Sequence, residues 1–432
     1  MRGSIVTQTM RRTTLFALMT ALAFVIAAVL LSRGSVPAAA GTDQVVSDAE
    51  VFQDEAEALE ADIALASEQT AVQLDDMRDA VLFQESFAAF VEQVASDHPG
   101  VVAWVDPAPA TTGYIRFPGE APPRVGERAA RRDLDVQLIG NAGMSFSEQV
   151  ARAEVTFEAL EAAGLRGHTT FYSPQRNRIQ IELGQDSGSG IEPSVTRSIA
   201  ATLTQQFISR YPPLNLHGRA TDFLPTDFDI SVNPDGPVQP LSEVRGGVWT
   251  RRNGVNHCTV GWSARGHLTT GLITAGHCHP QNGYRVPGFA QHPMTISFQS
   301  YGIGGDTAYY RSTQTATNKF YPSASTVRNV TARREDNSMV GFSTCSYGRA
   351  SNNRQCNHTV EAVGLTRSVG GHNVSGLARA SNRGTLTGGD SGGGWSLGEA
   401  AWGISTGMSG TKAYFVTIRR AEGQCGCTIF RS

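Results

Sequence analysis

From residue 241 onward, short apolar runs alternate with turns rich in Gly, Asn and Ser, and this alternation most constrains the fold. No convincing long helical pattern appears in this part of the chain. Many short strands joined by Gly-rich turns are typical of a β-sandwich or a β-barrel. We therefore predict an all-β domain over residues 241–432. The predicted strands include residues 267–274, 295–299, 307–311, 359–363 and 413–418.

Two motifs in this part of the chain carry residue types that catalyse acyl transfer. Residues 389–393 have the sequence GDSGG, and residues 274–278 have the sequence TAGHC. A Ser between glycines can lie on a tight turn with its hydroxyl exposed, and backbone N–H groups beside it can point at one oxygen. His277, preceded by small residues, can approach the hydroxyl of Ser391. Together these features suggest a nucleophile, its base and an oxyanion site.

The order of the candidate residues narrows the type of site. The α/β-hydrolases also use Gly-x-Ser-x-Gly but need an acid and then a His after the Ser, and no Asp or His follows Ser391. The subtilisin order needs Asp before His, and no Asp lies between residue 241 and His277. The remaining order is His, Asp, Ser.

Three Asp residues are available as the orienting acid after residue 241. Asp390 adjoins the nucleophile, so we expect its side chain to point away. Asp336 lies in a charged run that is typical of a solvated loop. Asp306 begins a strand-like run and is the best candidate to orient His277.

With these motifs and the DTA sequence at residues 306–308, the chain resembles the chymotrypsin-type serine proteases of the bacterial streptogrisin and α-lytic branch. The resemblance implies two six-stranded antiparallel Greek-key barrels with the site in the cleft between them. It implies that Ser391 attacks a peptide carbonyl, His277 is the general base and Asp306 orients it. The backbone N–H groups of Gly389 and Ser391 would form the oxyanion hole.

The resemblance also assigns the residues that bind the substrate. Thr385 takes the position at the floor of the specificity pocket, while Thr406, Gly407 and Met408 align with its wall. Thr385 is not acidic, so a preference for Lys or Arg is not expected, and Met408 narrows the pocket. We predict a small-to-medium apolar or aromatic side chain before the cleaved bond of a protein or peptide substrate.

Asp390 is predicted to be buried and therefore to need a compensating cation. In the branch resembled, an Arg just after the first Cys of a loop fills this role, but here that position is Ser346. Arg349 is the nearest candidate partner.

The resemblance pairs four of the six cysteines, as Cys258–Cys278 and Cys345–Cys356. Closing each short loop stabilises the fold by ~2–4 kcal/mol. Cys425 and Cys427 either pair with each other or stay free.

A zinc site is an alternative interpretation of the His and Cys residues at 257–258 and 277–279. Their spacing matches no standard zinc motif, and export favours disulfides. We expect no metal and no other cofactor.

Charge divides the chain into two opposed parts. Residues 41–240, the N-terminal segment, hold 31 acidic and 13 basic residues, a net charge of −18. Residues 241–432, the C-terminal segment, hold 8 acidic and 19 basic residues, a net charge of +11. Opposite charges favour docking of one segment on the other. The alternative is that the acidic segment only improves solubility.

The N-terminal segment has an α+β pattern that resembles the prosegment of α-lytic-type proteases. The resemblance implies that this segment templates folding of the protease and inhibits it until it is cut away, and the alternative is a plain accessory domain. Ser145 and Glu148 form a capping box before one helix. The predicted helices cover residues 46–70, 77–96, 145–163 and 194–209, and the predicted strands cover residues 101–105, 114–117, 134–139, 168–172 and 178–183.

Three prolines punctuate residues 231–240, which we predict to be a linker. The sequence RGGV that begins at Arg245 aligns with the start of mature family members. We therefore predict that the protease cuts itself between about Pro240 and Arg245.

Residues 1–40 are predicted to be a secretory signal peptide. Arg11 and Arg12 precede an apolar run over residues 15–31, and three alanines end at Ala40. The alternative is an uncleaved membrane anchor. We expect a secreted, extracellular monomer with no membrane contact after signal removal, and no nucleic-acid partner because the basic residues are scattered.

Two other functions compete with that of a secreted serine endopeptidase made as a proenzyme. An inactive protease homologue could act as an extracellular binding protein, but the complete His, Asp and Ser set argues against it. An esterase on the same fold would use the same three residues on small acyl esters.

Overall fold

The computed structural model describes residues 51–162, 167–184, 228–233, 239–240, 248–266, 269–286, 291–312, 314 and 316–432. The predicted signal peptide, the predicted helix at 194–209 and residues 241–245 lie outside the described residues. Within the described residues, no helix has the length and apolar character that a membrane crossing needs.

The N-terminal segment is an α+β structure, as its pattern predicts. Its first helix begins at Glu55 rather than at residue 46, because Asp54 and Glu57 form a capping box that fixes the start. The helices are α1 (Glu55–Thr70), α2 (Leu74–Asp97), α3 (Pro123–Ala130) and α4 (Phe146–Ala162). The strands are β1 (Val51–Phe52), β2 (Val102–Val105), β3 (Thr112–Arg116), β4 (Asp135–Ile139), β5 (Thr169–Ser173), β6 (Arg178–Gly184), β7 (Phe228–Asn233) and β8 (Gln239–Pro240).

The start of α4 follows the predicted capping box. The backbone N–H of Ser145 donates to Glu148 Oε2 at 2.7 Å, and the N–H of Glu148 donates to Ser145 Oγ at 3.3 Å. Helix α3 was not predicted, although the proline at its first position is typical of a helix start.

The predicted linker at residues 231–240 contains regular structure. Strand β7 pairs in parallel with β6, and β8 pairs with a strand of the C-terminal segment.

The C-terminal segment is mostly β-structure, as predicted. It has one α-helix, α5 (Ile418–Cys425), within its described residues. Its first strands are β9 (Trp249–Arg252), β10 (Val255–Thr259), β11 (Trp262–Arg265), β12 (Thr270–Thr274), β13 (Gly283–Arg285), β14 (Gln291–Gly302) and β15 (Gly305–Ser312). Its remaining strands are β16 (Lys319–Phe320), β17 (Thr326–Asn329), β18 (Ala332–Arg333), β19 (Ser343–Gly348), β20 (Asn353–Val369), β21 (His372–Ala380), β22 (Gly394–Leu397), β23 (Ala400–Ser409), β24 (Lys412–Thr417) and β25 (Thr428–Ile429).

Two large sheets organise the C-terminal segment. The first has the strand order β10-β9-β13-β14-β15-β12-β11-β25. In the second, the order β19-β22-β23-β24-β21-β20 closes on itself because β19 also pairs with β20. Strand β20 then pairs with β5, so the second sheet continues into the N-terminal segment through β5, β6 and β7.

The largest hydrophobic core is shared by the two segments. Phe87 and Phe90 on α2 are fully buried in the same cluster as Phe342 and Trp402 of the C-terminal segment. The ring centroids of Phe87 and Phe342 lie 6.4 Å apart. Burying large aromatic surface here stabilises the contact between the segments.

Acidic residues of the N-terminal segment meet arginines of the C-terminal segment around this core. These pairs agree with the opposite net charges of the two segments. They are Asp62–Arg328, Asp62–Arg354, Glu85–Arg334, Glu154–Arg420 and Glu182–Arg379.

All six cysteines form disulfides. The two predicted bridges, Cys258–Cys278 and Cys345–Cys356, are present. Cys425 and Cys427, whose state the sequence left open, form a third bridge at the end of α5.

Candidate active site

A tight turn after β12 positions His277. The turn is the 3-10 helix Gly276–Cys278, and the Cys258–Cys278 bridge ties it to β10. A Cβ atom on Gly276 would lie 1.8 Å from the carbonyl oxygen of Ser300, so this position accepts only glycine. The small residues of the TAGHC motif therefore let the His turn pack closely against β14.

Asp306 lies at the start of β15 and is fully buried. Its Oδ1 accepts the backbone N–H of His277 at 2.8 Å, and its Oδ2 lies 2.7 Å from Nδ1 of the same residue. The carboxylate thus fixes both the backbone and the ring of His277.

Ser391 completes the series from the loop that precedes β22 of the other large sheet. Its Oγ lies 2.8 Å from Nε2 of His277. Its carbonyl accepts the N–H of Thr259 at 2.8 Å, and the Thr259 hydroxyl donates to the carbonyl of Gly389 at 3.0 Å. Because Thr259 ends β10, these bonds tie the loop that carries Ser391 to the first sheet.

Glycine is required beside the nucleophile for a geometric reason. Gly392 has φ +82°, and a Cβ atom there would lie 2.1 Å from the hydroxyl oxygen of Thr274. An L side chain is strained in this backbone region and would also collide with the His strand. The GDSGG motif therefore reflects how closely the loop that carries Ser391 approaches β12, the strand before His277.

The geometry suits proton transfer from a hydroxyl. Asp306 holds Nδ1, which directs the free lone pair of Nε2 toward Ser391 in the neutral tautomer. The buried carboxylate would also stabilise an imidazolium formed at this position. The three residues that the sequence predicted to act together are therefore within hydrogen-bond reach of one another.

Backbone N–H groups donate to the carboxylate of Asp390, for which the sequence predicts a cationic partner. Its carboxylate accepts backbone N–H groups from Thr387 at 2.9 Å and from Ser351 at 3.1 Å. Arg349, the predicted partner, places its guanidinium over the ring of Trp249, 5.7 Å from the centroid. Burial raises the pKa of Asp390 to about 6, and these hydrogen bonds partly oppose the rise.

Ser346, which replaces the Arg expected from the resemblance, bonds to a buried histidine. Its Oγ lies 2.8 Å from Nε2 of His358, whose Nδ1 lies 2.6 Å from the carbonyl oxygen of Asn382. Burial lowers the pKa of His358 to about 4, and the charge of Arg354 acts in the same direction. His358 is therefore neutral at neutral pH.

The predicted pocket-wall residues, Thr406 to Met408, lie on β23, next to the loop that carries Ser391. The N–H of Gly392 donates to the carbonyl of Ser405 at 2.7 Å. Thr406 and Gly407 are buried, and Met408 is partly buried. Strand β8 of the N-terminal segment pairs antiparallel with this strand, with Pro240 opposite Gly407.

Thr385, which the resemblance assigns to the pocket floor, lies between β21 and the loop that carries Ser391. It is exposed, and its backbone N–H donates to Gln355 Oε1 at 2.6 Å. Its assignment to the pocket floor stays a prediction.

The structure corrects the prediction of a solvated loop at Asp336. It begins the 3-10 helix Asp336–Ser338, and burial raises the pKa of its carboxyl to about 6. It takes no part in the Asp306–His277–Ser391 series.

Sequence reasoning missed Tyr301 on β14. Its ring centroid lies 5.5 Å from that of His277 and 4.3 Å from that of His372 on β21. Its hydroxyl donates to the carbonyl of Val369 at 2.6 Å. The ring of Tyr301 thus packs against both imidazoles, and only its position five residues before Asp306 could have pointed to it.

Three potential metal ligands lie close together beside the site, namely Cys258, His277 and Cys278. The two sulfurs are joined in a disulfide, and Nδ1 of His277 faces Asp306. The two sulfurs are therefore taken up by the disulfide, and Nδ1 of His277 is taken up by its hydrogen bond to Asp306.

No family model matches this chain. The chain is 29% identical over 197 residues to streptogrisin-C of Streptomyces griseus, a match that covers 44% of this chain and 42% of that protein. The chain thus spans less than half the length of this relative. The match confirms the predicted resemblance to chymotrypsin-like serine proteases of the streptogrisin branch.

Solved structures of similar proteins include Thermobifida fusca protease A, at 27% identity and a TM-score of 0.36 over 45% of this chain and 100% of that one. Nocardiopsis protease matches at 23% identity and a TM-score of 0.36, again over 45% and 100%. TM-scores below 0.5 do not establish a shared fold.

The low pKa of His358 predicts how stability changes with pH. In the unfolded chain this group takes a proton near pH 6.5, whereas in the folded chain it does so near pH 4. The neutral imidazole of His358 therefore contributes fully to the free energy of unfolding above pH 6.5. As the pH falls toward 4, that free energy decreases by on the order of 3 kcal/mol, because the unfolded chain takes up the proton first. The thermal unfolding midpoint of the wild type should therefore fall more steeply over this range than that of His358→Gln. Parallel pH profiles for the two proteins would contradict the assignment.

Proposed function

We propose that this protein is a serine endopeptidase that hydrolyses peptide bonds through an acyl-enzyme. The observation that carries the proposal is the unbroken series of hydrogen-bond distances, 2.7 Å from Asp306 to His277 and 2.8 Å from His277 to Ser391. The similarity to streptogrisin-C supports it.

In the proposed mechanism, Ser391 Oγ attacks the carbonyl carbon of the scissile bond while Nε2 of His277 accepts its proton. The N–H groups of Gly389 and Ser391 stabilise the negative oxygen of the tetrahedral intermediate. His277 then protonates the leaving amine as the C–N bond breaks. A water molecule, deprotonated by the same imidazole, hydrolyses the acyl-enzyme and restores Ser391.

We propose that the two large sheets correspond to the two six-stranded Greek-key barrels of this branch. Asp306 lies on β15 of the first sheet, His277 follows β12 of the same sheet, and Ser391 precedes β22 of the second. A site assembled from both sheets fits a cleft that a polypeptide substrate can cross.

We propose further that the N-terminal segment is a prosegment, that residues 1–40 direct secretion, and that the mature protein is an extracellular monomer. The pairing of β8 with β23 supports the first part. It places the backbone of Gln239–Pro240 beside Gly407 and Met408, the strand assigned to substrate binding. The same proposal includes self-processing between about Pro240 and Arg245, and this pairing supports it.

The alternative of an inactive homologue used as a binding protein is less well supported. A binding protein has no need for a buried Asp306 at 2.7 Å from an imidazole that in turn faces a hydroxyl at 2.8 Å. An esterase would keep this geometry, so casein cleavage measured beside ester hydrolysis separates the two activities.

Two substitutions test the catalytic assignment. Ser391→Ala should abolish both casein cleavage and labelling by a fluorophosphonate probe, because the nucleophile is removed. Asp306→Asn should lower kcat by roughly 10⁴-fold, since the imidazole loses its correct tautomer. The matched control is Ser432→Ala, which removes an exposed hydroxyl and should change neither readout. Labelling that persists in Ser391→Ala would refute the role of Ser391.

A peptide library tests the proposed side-chain preference. With no acidic group on the assigned pocket wall and Met408 at its end, we expect cleavage after small-to-medium apolar or aromatic residues. A strict preference for Lys or Arg before the cleaved bond would refute this assignment.

The shared core predicts that residues 241–432 expressed alone fold poorly. Without α2, the aromatic surface around Phe342 and Trp402 loses its cover. Activity recovered on refolding should be low, and should rise when residues 41–240 are added as a separate chain. Efficient recovery of activity from residues 241–432 alone would contradict the proposed folding role.

A further inference from the structure

One carboxylate of the N-terminal segment is enclosed by hydrogen-bond donors of the C-terminal segment. Oδ2 of Asp62, on α1, accepts from Arg328 Nη1 at 3.0 Å and from Arg354 Nη2 at 2.6 Å. The same oxygen accepts the backbone N–H of Gly398 at 2.8 Å, and Oδ1 accepts Arg354 Nε at 2.7 Å. The bidentate bond from Arg354 is the geometry that guanidinium groups use to recognise carboxylates.

This cluster is almost completely desolvated. The side chains of Asp62, Arg328 and Arg354 are 1%, 3% and 8% exposed. Burial and the neighbouring charge of Arg354 lower the pKa of Arg328 to about 10. Two buried cations this close together require an anion between them, and removing one member of such a cluster is strongly unfavourable.

All the donors belong to one segment and the acceptor belongs to the other. Arg328 lies on β17, Arg354 on β20 and Gly398 in the turn between β22 and β23. The guanidinium of Arg354 is also held by Ser396 Oγ at 3.0 Å. The donors are therefore fixed by strands of the C-terminal segment.

The same face of α1 makes a second polar contact two helical turns later. Gln69 Oε1 accepts the backbone N–H of Cys356 at 2.7 Å. Residues seven apart lie on one side of a helix. The surface thus recognises a helix that presents a carboxylate and, two turns on, an amide.

We propose that Arg328, Arg354 and the N–H of Gly398 form a carboxylate-binding site of the C-terminal segment, which Asp62 fills before processing. Once the N-terminal segment is removed, the site takes the carboxylate of an acidic helix from another polypeptide. Binding of another polypeptide rests on the proposed processing, whereas the carboxylate-binding site filled by Asp62 does not. The site lies outside the Asp306–His277–Ser391 series, so its ligand is a binding partner rather than a substrate.

Chemical rescue tests the site in the full-length protein, carried on a Ser391→Ala background so that no cleavage occurs. Asp62→Ala should lower the thermal unfolding midpoint, and sodium formate should restore much of the loss in a saturable way, because formate replaces the deleted carboxylate. Sodium chloride at equal ionic strength should not do so.

The control is Asp97→Ala, which breaks a surface pair with Arg128 and should show no specific response to formate. If Asp62→Ala does not fold on expression, the refolding yield in formate relative to chloride is the readout. Equal effects of formate and chloride in both variants would overturn the site.

A binding measurement tests the second step. A synthetic peptide of residues 54–71 should bind the processed protein, and the same peptide with Asp62→Asn should bind roughly 100-fold or more weakly. Equal binding of the two peptides would overturn the role of the carboxylate. Failure of the full-length chain to process would refute the proposed proenzyme but leave the formate result to decide on the site.

Discussion

The imidazole of His277, held between a buried carboxylate and the hydroxyl of a loop before β22, is the constraint on which the rest of the site depends. Asp306 must be buried and aimed at Nδ1, so β14 and β15 pack tightly against the His turn. Ser391 must reach Nε2, so its loop is tied to β10 through Thr259. The glycines around both residues are required by these close approaches, because a side chain would occupy the space that the neighbouring backbone needs.

Contacts between the oppositely charged segments have two physical components. Aromatic residues of α2 share a core with Phe342 and Trp402, which buries nonpolar surface of both segments. Carboxylates such as Asp62 meet buried arginines and fix how the segments are oriented, since a misplaced partner would leave an unpaired buried charge. The extension of the second sheet through β5 adds backbone hydrogen bonds across the same boundary.

Residue type and order were enough to predict that Asp306, His277 and Ser391 lie together. A Ser among glycines, an upstream His after small residues and an intervening Asp are chemically specific, and their order excluded two other types of hydrolase. The resemblance supplied the two disulfides. Strand positions followed from apolar alternation, although the start of α1 depended on a capping box at Asp54 that the apolar pattern did not reveal.

Other features could not be predicted because they depend on the path of the backbone. Asp390 is satisfied by N–H groups of Thr387 and Ser351, whose directions no local sequence pattern encodes. The exposure of Thr385 follows from how its loop turns toward Gln355. Asp62 is one of many acids on its segment, and its arginine partners lie 266 and 292 residues away in the sequence.

Proton NMR of the full-length protein tests the central claim most directly, by observing the Nδ1–H of His277. The geometry predicts one strongly deshielded imidazole resonance from the hydrogen bond to Asp306. This resonance should vanish in Asp306→Ala and in His277→Ala but remain in Ser391→Ala. A spectrum that is unchanged by Asp306→Ala would show that the buried carboxylate does not hold the imidazole, and would contradict the account of this site.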